Sequence, residues 1–324
     1  MAIDFIEGFD WLTSSADILL HGWSSGGCVI ATANPRYSGG TYAQDVTLIR
    51  TPTTPSETVV IGAAINPVNG TFNIFKLWET ATPHITILIQ AATGYIVVQR
   101  GSTTIATSTL SVTFASWSYI EAKVVIHDST GSVIVHVNGT EFINFSGDTR
   151  NAATGVINKV NFGEGSGVSL YDDIYIKTGT GETMLGDVRV DTIFPSGAGT
   201  TTEWTPSAGA NYENVDDDDP DADTTYNSED TPGSIDLYAF ENMSAASGTI
   251  YAVQQTAICR KDDAGARTIK HITRPVSTNY LSDAKSIGDT YAGYLEIREV
   301  NPEDSAAWEI ADVNGAEWGI ELEA

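Results

Sequence analysis

The chain has 324 residues, with 42 Asp and Glu against 16 Lys and Arg, a formal charge of -26. A surface that acidic repels phosphate backbones and anionic lipid, which argues against nucleic acid and membrane surfaces as partners. Hydrophobic residues at 41% and charged residues at 18% supply packed cores rather than disorder, and the length suits two domains.

The chain opens with a strand-like segment at 5–9. The residues around it, Met1-Ala2-Ile3-Asp4, carry acid where a secretion signal needs Lys or Arg. No run approaches the roughly 18 apolar residues of a membrane helix. The expectation is folding in a cytoplasm without classical secretion. Cys28 and Cys259 fall in different expected domains, so neither a disulfide nor a thiolate metal cluster is expected.

Strands are then predicted at 28–33, 45–50, 57–65, 72–78, 85–90, 95–100, 103–108, 117–126, 132–137 and 140–145. A Pro- and Gly-rich loop is expected at 34–40, and Asn69-Gly70 and Asn138-Gly139 are tight-turn signals. Another Gly-rich loop, Gly163-Glu164-Gly165-Ser166-Gly167, precedes the segment Leu170 to Ile176. That segment alternates. Leu170, Asp172, Ile174 and Ile176 point one way, and Tyr171, Asp173, Tyr175 and Lys177 the other, the period of a half-buried strand. Many short strands with Gly and Asn turns and almost no helical periodicity predict a sandwich or jelly roll over 1–180, with the first strand beside this closing one.

Residues 181–324 read as a second, smaller β domain. It opens with the alternating Gly186 to Ile193. A long acidic loop is expected at 195–233. Strands resume at 234–240, 249–260, 266–272, 291–300 and 317–322, with Lys261 to Gly265 joining two of them as a hairpin.

Asp172 and Asp173 interrupt the apolar pattern, and a buried carboxylate needs partners. Asp172 is read as an acceptor of a neighbouring loop's backbone N–H groups or, with Asp173, as an oxygen ligand for calcium. The acid run from Asp216 to Asp223 contains Asp219, Asp221 and Asp223 at calcium-loop spacing. Thr224 replaces the turn glycine, and Asp230 stands where the bidentate Glu belongs. A solvated loop, a calcium site and a contact for a basic partner are its three readings. Gly22-Trp23-Ser24-Ser25-Gly26 matches a hydrolase elbow in letters but lacks a following helix. His21, His84, His127, His136 and His271 have no metal spacing, and no strand carries paired carboxylates for glycoside hydrolysis. Trp23, Trp78, Trp117, Trp204, Trp308 and Trp318 are candidates for a sugar platform if exposed. Trp204, with Tyr212 in the same polar loop, is the favoured contact for glycan or partner.

Phe9-Asp10, Trp117-Ser118-Tyr119-Ile120-Glu121, Val135-His136-Val137-Asn138-Gly139 and Tyr171-Asp172-Asp173-Ile174-Tyr175 resemble a concanavalin A-like, laminin G-like jelly roll. The later segments look like virion structural proteins of tailed bacteriophages. They are Leu185 to Val190, Glu203 to Tyr212, Asp236-Leu237-Tyr238 and Arg260 to Arg267. The resemblance implies a non-enzymatic particle component without a cofactor, displayed on the virion surface as a tail appendage or capsid decoration. Its expected partners are major capsid or tail proteins, in a homo-oligomer such as a trimer. The alternative is a carbohydrate-binding adhesin for a host surface glycan.

Overall fold

The computed structural model describes residues 3–24, 26–37, 42–68, 70–164 and 169–324. The loop expected at 34–40, the Asn69-Gly70 turn and the Gly165-Ser166-Gly167 loop lie wholly or partly outside the described residues. The chain forms two compact units, the first of Met1–Ile18 and Trp23–Val190, the second of Leu19–Gly22 and Asp191–Ala324. Residues 181–190, assigned to the second domain from the sequence, belong to the first.

The first unit is an antiparallel jelly-roll sandwich. Its strands are β1 (Ile3–Glu7), β2 (Gly26–Ala31), β3 (Tyr42–Arg50), β4 (Thr58–Pro67), β5 (Phe72–Glu79), β6 (Thr82–Ile89) and β7 (Tyr95–Arg100). They continue with β8 (Thr103–Ser111), β9 (Ser118–Val125), β10 (Gly131–Val137), β11 (Thr140–Gly147), β12 (Lys159–Phe162) and β13 (Ser169–Thr178). The hydrogen-bonded order runs β11-β10-β9-β4-β13-β3-β12-β5-β6-β7-β8. β8 lies against β11, so the two ends of this order meet. The Asn138-Gly139 turn has φ of +48° and +76°, the left-handed pair that joins β10 to β11 tightly.

β13 is the hinge of the sandwich. One edge pairs with β4 from Ser169 to Thr178. The other edge is divided between β3, at Leu170 and Tyr171, and β1, from Ile174 to Lys177. The first strand therefore lies beside the closing one, as expected. The alternation within β13 does not persist. Its register against β4 shifts between Asp172 and Tyr175, and Asp173 has φ +49°. This is a bulge, and one extra residue reverses which face the side chains occupy. Tyr171 points into the sandwich, edge-on to Phe162 at 6.3 Å, its hydroxyl donating to Ile74 O at 3.0 Å. Beyond the bulge, Tyr175 and Lys177 point outward.

The core between the sheets is a run of edge-to-face rings, the geometry aromatic quadrupoles favour. Phe5 meets Trp23 at 5.2 Å, Trp23 meets Phe162 at 5.5 Å, and Phe162 meets Phe75 at 5.6 Å. Phe162 sits on β12, a four-residue strand too short to read from the sequence. Buried Glu7 accepts from Trp11 Nε1, Trp23 Nε1 and Phe9 N, which fastens β1 to this ring cluster.

β13 was expected to be half-buried, yet all ten of its residues are buried. The cause is a strap, residues 182–190, laid over the outer face of β13, β4 and β9. Met184, Leu185 and Val188 pack on Val60, Ala64, Tyr119 and Tyr175. Gly62 leaves the space filled by Tyr175, since a Cβ there would fall inside the Tyr175 ring.

Three buried polar anchors hold the strap. Lys177 Nζ bonds Glu182 at 2.8 Å and donates to Thr183 O at 3.0 Å. Glu121 accepts from Leu185 N and Gly186 N, each at 2.9 Å, and from the Tyr175 hydroxyl at 2.5 Å. Asp173 accepts from Val190 N at 2.7 Å and pairs with Arg36, which also pairs with Asp187 and donates to Val188 O. Asp172 accepts from Asp173 N at 2.8 Å. Burial pushes both carboxyls up, and the neighbouring Asp173 charge adds to the push on Asp172. Arg36 and the Val190 N–H favour ionised Asp173, so the shared proton of the pair resides on Asp172.

The second unit is also β, with β14 (Pro195–Thr202), β15 (Thr205–Pro206), β16 (Asn227–Ser228), β17 (Ile235–Phe240), β18 (Val253–Cys259) and β19 (Arg267–Arg274). After them come β20 (Tyr280–Leu281), β21 (Lys285–Ile287), β22 (Ala292–Arg298), helix α1 (Ile310–Gly315) and β23 (Glu317–Leu322). The main sheet runs β14-β17-β23-β19-β20, with β21 also on β19. Trp308, Val313, Ala316 and Trp318 form its core. The region 195–233 is not one loop, because its first eight residues are β14. Gly199 there permits contact with Leu237, whose backbone lies 2.5 Å from where a Cβ would stand. The segment 186–193, alternating in sequence, forms no strand. The hairpin expected across Lys261 to Gly265 is also absent, for β18 pairs with β22 while β19 pairs with β23.

Replacing Glu121 by Ala leaves two strap N–H groups and the Tyr175 hydroxyl without their acceptor in a buried site. It should cost about 2–4 kcal/mol in chemical denaturation; a cost under about 1 kcal/mol would show that Glu121 does not hold the strap. A carboxyl raised in the fold above its ordinary 3.8 contributes stability below that pH and loses it as pH rises through the folded value. Asp172→Asn should therefore raise the unfolding temperature at about pH 8 and leave it nearly unchanged near pH 3.5. A variant less stable at both would contradict the buried, protonated state.

Candidate functional site

Asp172 accepts from the neighbouring Asp173 N rather than from a loop, whereas Asp173 accepts from Val190 N of the strap. The donor came from a segment the sequence had placed in the other domain. Among the described residues no group of three or more His, Cys, Asp or Glu is arranged to hold a metal ion. The acid run is likewise engaged locally. Asp221 accepts from Thr225 N at 3.1 Å and from its hydroxyl at 2.8 Å. Asp223 pairs with Arg260 at 2.9 Å and accepts from the Tyr291 hydroxyl at 2.9 Å. Asp219 is exposed. Asp221 and Asp223 thus face different partners.

The histidines are dispersed. Fully buried His84 sits 3.1 Å from Glu79, and its Nδ1 accepts from Asn151 N. His271 is buried on β19, and burial pushes its pKa down to about 4. Ser24, the serine of the elbow pattern, donates to Ile49 O at 3.1 Å in a turn before β2. Trp23, Trp308 and Trp318 are core residues. Trp204 is half-buried and donates to Ser234 O at 3.2 Å. Half-buried Tyr212 lies in the 3-10 turn Asn211–Asn214, and Asn211 Nδ2 donates to Trp204 O at 2.8 Å. The two share one folded corner of the second unit.

A different surface stands out. The strap covers β13, β4 and β9, whereas the outer face of β12, β5, β6, β7 and β8 carries polar side chains. Pairing registers place Thr104 opposite Gln99, Gln99 opposite Thr86, Thr86 opposite Lys76, and Lys76 opposite Asn161. These form one cross-strand row, since facing residues in antiparallel strands share a side. Beside it, Thr71, Leu88, Gln90, Val97, Gln99, Thr104 and Thr107 line a shallow concavity of about 330 Å³.

Two residues further along, Trp78 faces Lys159. The ammoniums of Lys76 and Lys159 lie 4.4 and 4.1 Å from the Trp78 ring centroid. Glu164 pairs with Lys76 at 2.9 Å and accepts from Asn73 Nδ2 at 3.2 Å. Two buried polar atoms of this face, Trp78 Nε1 and Asn161 Oδ1, have no hydrogen-bond partner. Such atoms are costly, and native folds rarely leave them unmet.

Part of this face was accessible to sequence reasoning. The spacing of Lys76 and Trp78 on a predicted strand puts them on one side. Asn161 and Lys159 were not, because β12 itself was missed.

No protein-family model matches the chain, and no curated protein matches it. Several solved structures resemble it. Alginate lyase Aly36B, in complex with an alginate tetrasaccharide, is 14% identical over 55% of this chain and 98% of the lyase, with a TM-score of 0.39. The galectin LEC-6 of Caenorhabditis elegans is 13% identical over 39% of this chain and 93% of the galectin, at 0.29. The carbohydrate binding module CBM66 of Bacillus subtilis is 9% identical over 48% of this chain and 96% of the module, at 0.33. The likeness is one of β-sandwich architecture. None of the three is a virus-particle protein.

Proposed function

We propose that the first unit binds carbohydrate on the open outer face of β12, β5, β6, β7 and β8. The observation that carries this reading is the row Thr104, Gln99, Thr86, Lys76 and Asn161, with the orphaned Asn161 Oδ1 at its end. Sugar hydroxyls both donate and accept, and this row offers hydroxyls, amides and an ammonium on one rigid surface. At about 4.8 Å between strands, five strands span roughly 19 Å, enough for an extended oligosaccharide. The covered face beside β13 offers no such surface.

Binding without cleavage is the second part of the proposal. Glycoside hydrolysis uses two carboxylates placed across the scissile bond. Glu164 is occupied by Lys76 and Asn73. Display of this module on a tailed-phage particle is its finer form, supported by the resemblance of the second half. It predicts copies on washed virions, and their absence would remove that part alone.

Titration calorimetry of the full chain against glycans selected on an array should show saturable binding. Gln99→Ala and Thr104→Ala should each weaken it about tenfold with unchanged denaturation midpoints. Trp204→Ala should leave affinity as it is. Loss of binding in the Trp204 variant but not in the other two would move the site to the second unit. No binding at millimolar sugar would reject the proposal.

A further inference from the structure

We propose that the ligand of this face carries a negative charge, taken up by the Lys76 and Lys159 ammoniums beside Trp78. The inference rests on the reading of the face as a sugar site. It adds that the sugar bears an anionic substituent, a carboxylate or a sulfate.

The first observation is the placement of the two cations. Both ammoniums sit within 4.4 Å of the centroid of one indole ring. Trp78 attracts each of them through its ring quadrupole. The same geometry makes the ring unavailable as a stacking platform and turns it into a support for two like charges. Two like charges held on one ring repel, and a nearby anion relieves the repulsion.

The second observation is that this anion is only half supplied. Glu164 reaches Lys76. Lys159 has no carboxylate partner among the described residues, although the chain holds 42 acids to 16 bases. Lys123, also half-buried on a strand, likewise has no carboxylate partner among the described residues, so Lys159 is set apart by its place on the Trp78 ring beside a second ammonium. Lys270, Lys285 and Lys177 each have their own carboxylate.

The third observation is a pair of atoms waiting for partners. Trp78 Nε1 is a buried donor and Asn161 Oδ1 a buried acceptor, both unmet. Asn161 is 7% exposed and stands opposite Lys76. Both atoms lie below the surface, so the anion's contacts at this face are with the two ammoniums. Selectivity follows from charge. A strongly acidic protein repels anionic polymers at long range, and a local cation pair offsets that repulsion at this face.

The test uses the full chain and three oligosaccharide sets of equal length: uronic-acid oligomers, their carboxyl-reduced neutral counterparts, and sulfated neutral oligomers. At least one anionic set should bind about tenfold more tightly than the neutral set, as a charge-assisted contact implies. Raising NaCl from about 0.05 to about 0.5 M should erase most of that difference. Lys159→Gln should bring the affinity for the anionic set down to that for the neutral set, and Lys159→Arg should keep most of it. Unchanged denaturation midpoints would show that both variants are folded. The preferred set distinguishes carboxylate from sulfate. Equal affinity for neutral and anionic sugars, or an unchanged ratio in Lys159→Gln, overturns this inference and leaves the sugar site standing. Failure of all three sets to bind overturns both.

Discussion

A strand buried on both faces must find a partner for every polar group it carries. β13 meets that constraint with a bulge and a strap. The bulge at Asp172 to Tyr175 reverses the strand's facing, so Tyr171 serves the inner core while Tyr175 and Lys177 serve the outer face. The strap then brings backbone N–H groups to Glu121 and Asp173, and a carboxylate to Lys177. Each buried charge is thereby hydrogen-bonded rather than merely enclosed, the condition under which burial is tolerable. Arg36 closes the arrangement by joining Asp173 to Asp187 and Val188.

This closure makes the two sides of the sandwich unequal. The outer side of β13, β4 and β9 is filled with apolar strap residues. The outer side of β12, β5, β6, β7 and β8 is left to solvent and carries hydroxyls, amides and lysines. The surface proposed for recognition is therefore the one that the strap leaves uncovered. Its residues sit on strands, whose positions are set by the ladder and by the Phe75–Phe162 contact beneath. Sites built on such elements hold their groups more firmly than sites on loops.

Charge adds the remaining contrast. The acid run of the second unit is not a free cloud of carboxylates, for Asp221 and Asp223 are spent on Thr225, Arg260 and Tyr291. The lysines at Trp78 are the opposite case, positive groups gathered on one ring with a single carboxylate between them. In a protein of net charge -26, local sign matters more than the total for what is bound and where.

Much of the architecture is legible in the amino-acid sequence, because strand periodicity and turn chemistry are local. The all-β class, the Asn138-Gly139 hairpin and the extent of most strands follow from side chains a few residues apart, and the pairing of first with last from the way such sandwiches close. So does the need for Asp172 and Asp173 to have partners. What tertiary structure alone decided is non-local. The bulge in β13 depends on its register against β4. The strap at 182–190 alternates in its second half yet forms no strand, and its place comes from covering Tyr175. β12 is four residues long, and without it Lys159 and Asn161 cannot be set beside Trp78 and Lys76. The Lys261 to Gly265 turn looked like a hairpin because proximity in sequence favours pairing, yet β22 and β23 compete for β18 and β19 from further along the chain. Residue chemistry determined what each segment requires, and the order of strands in space determined which segment supplies it.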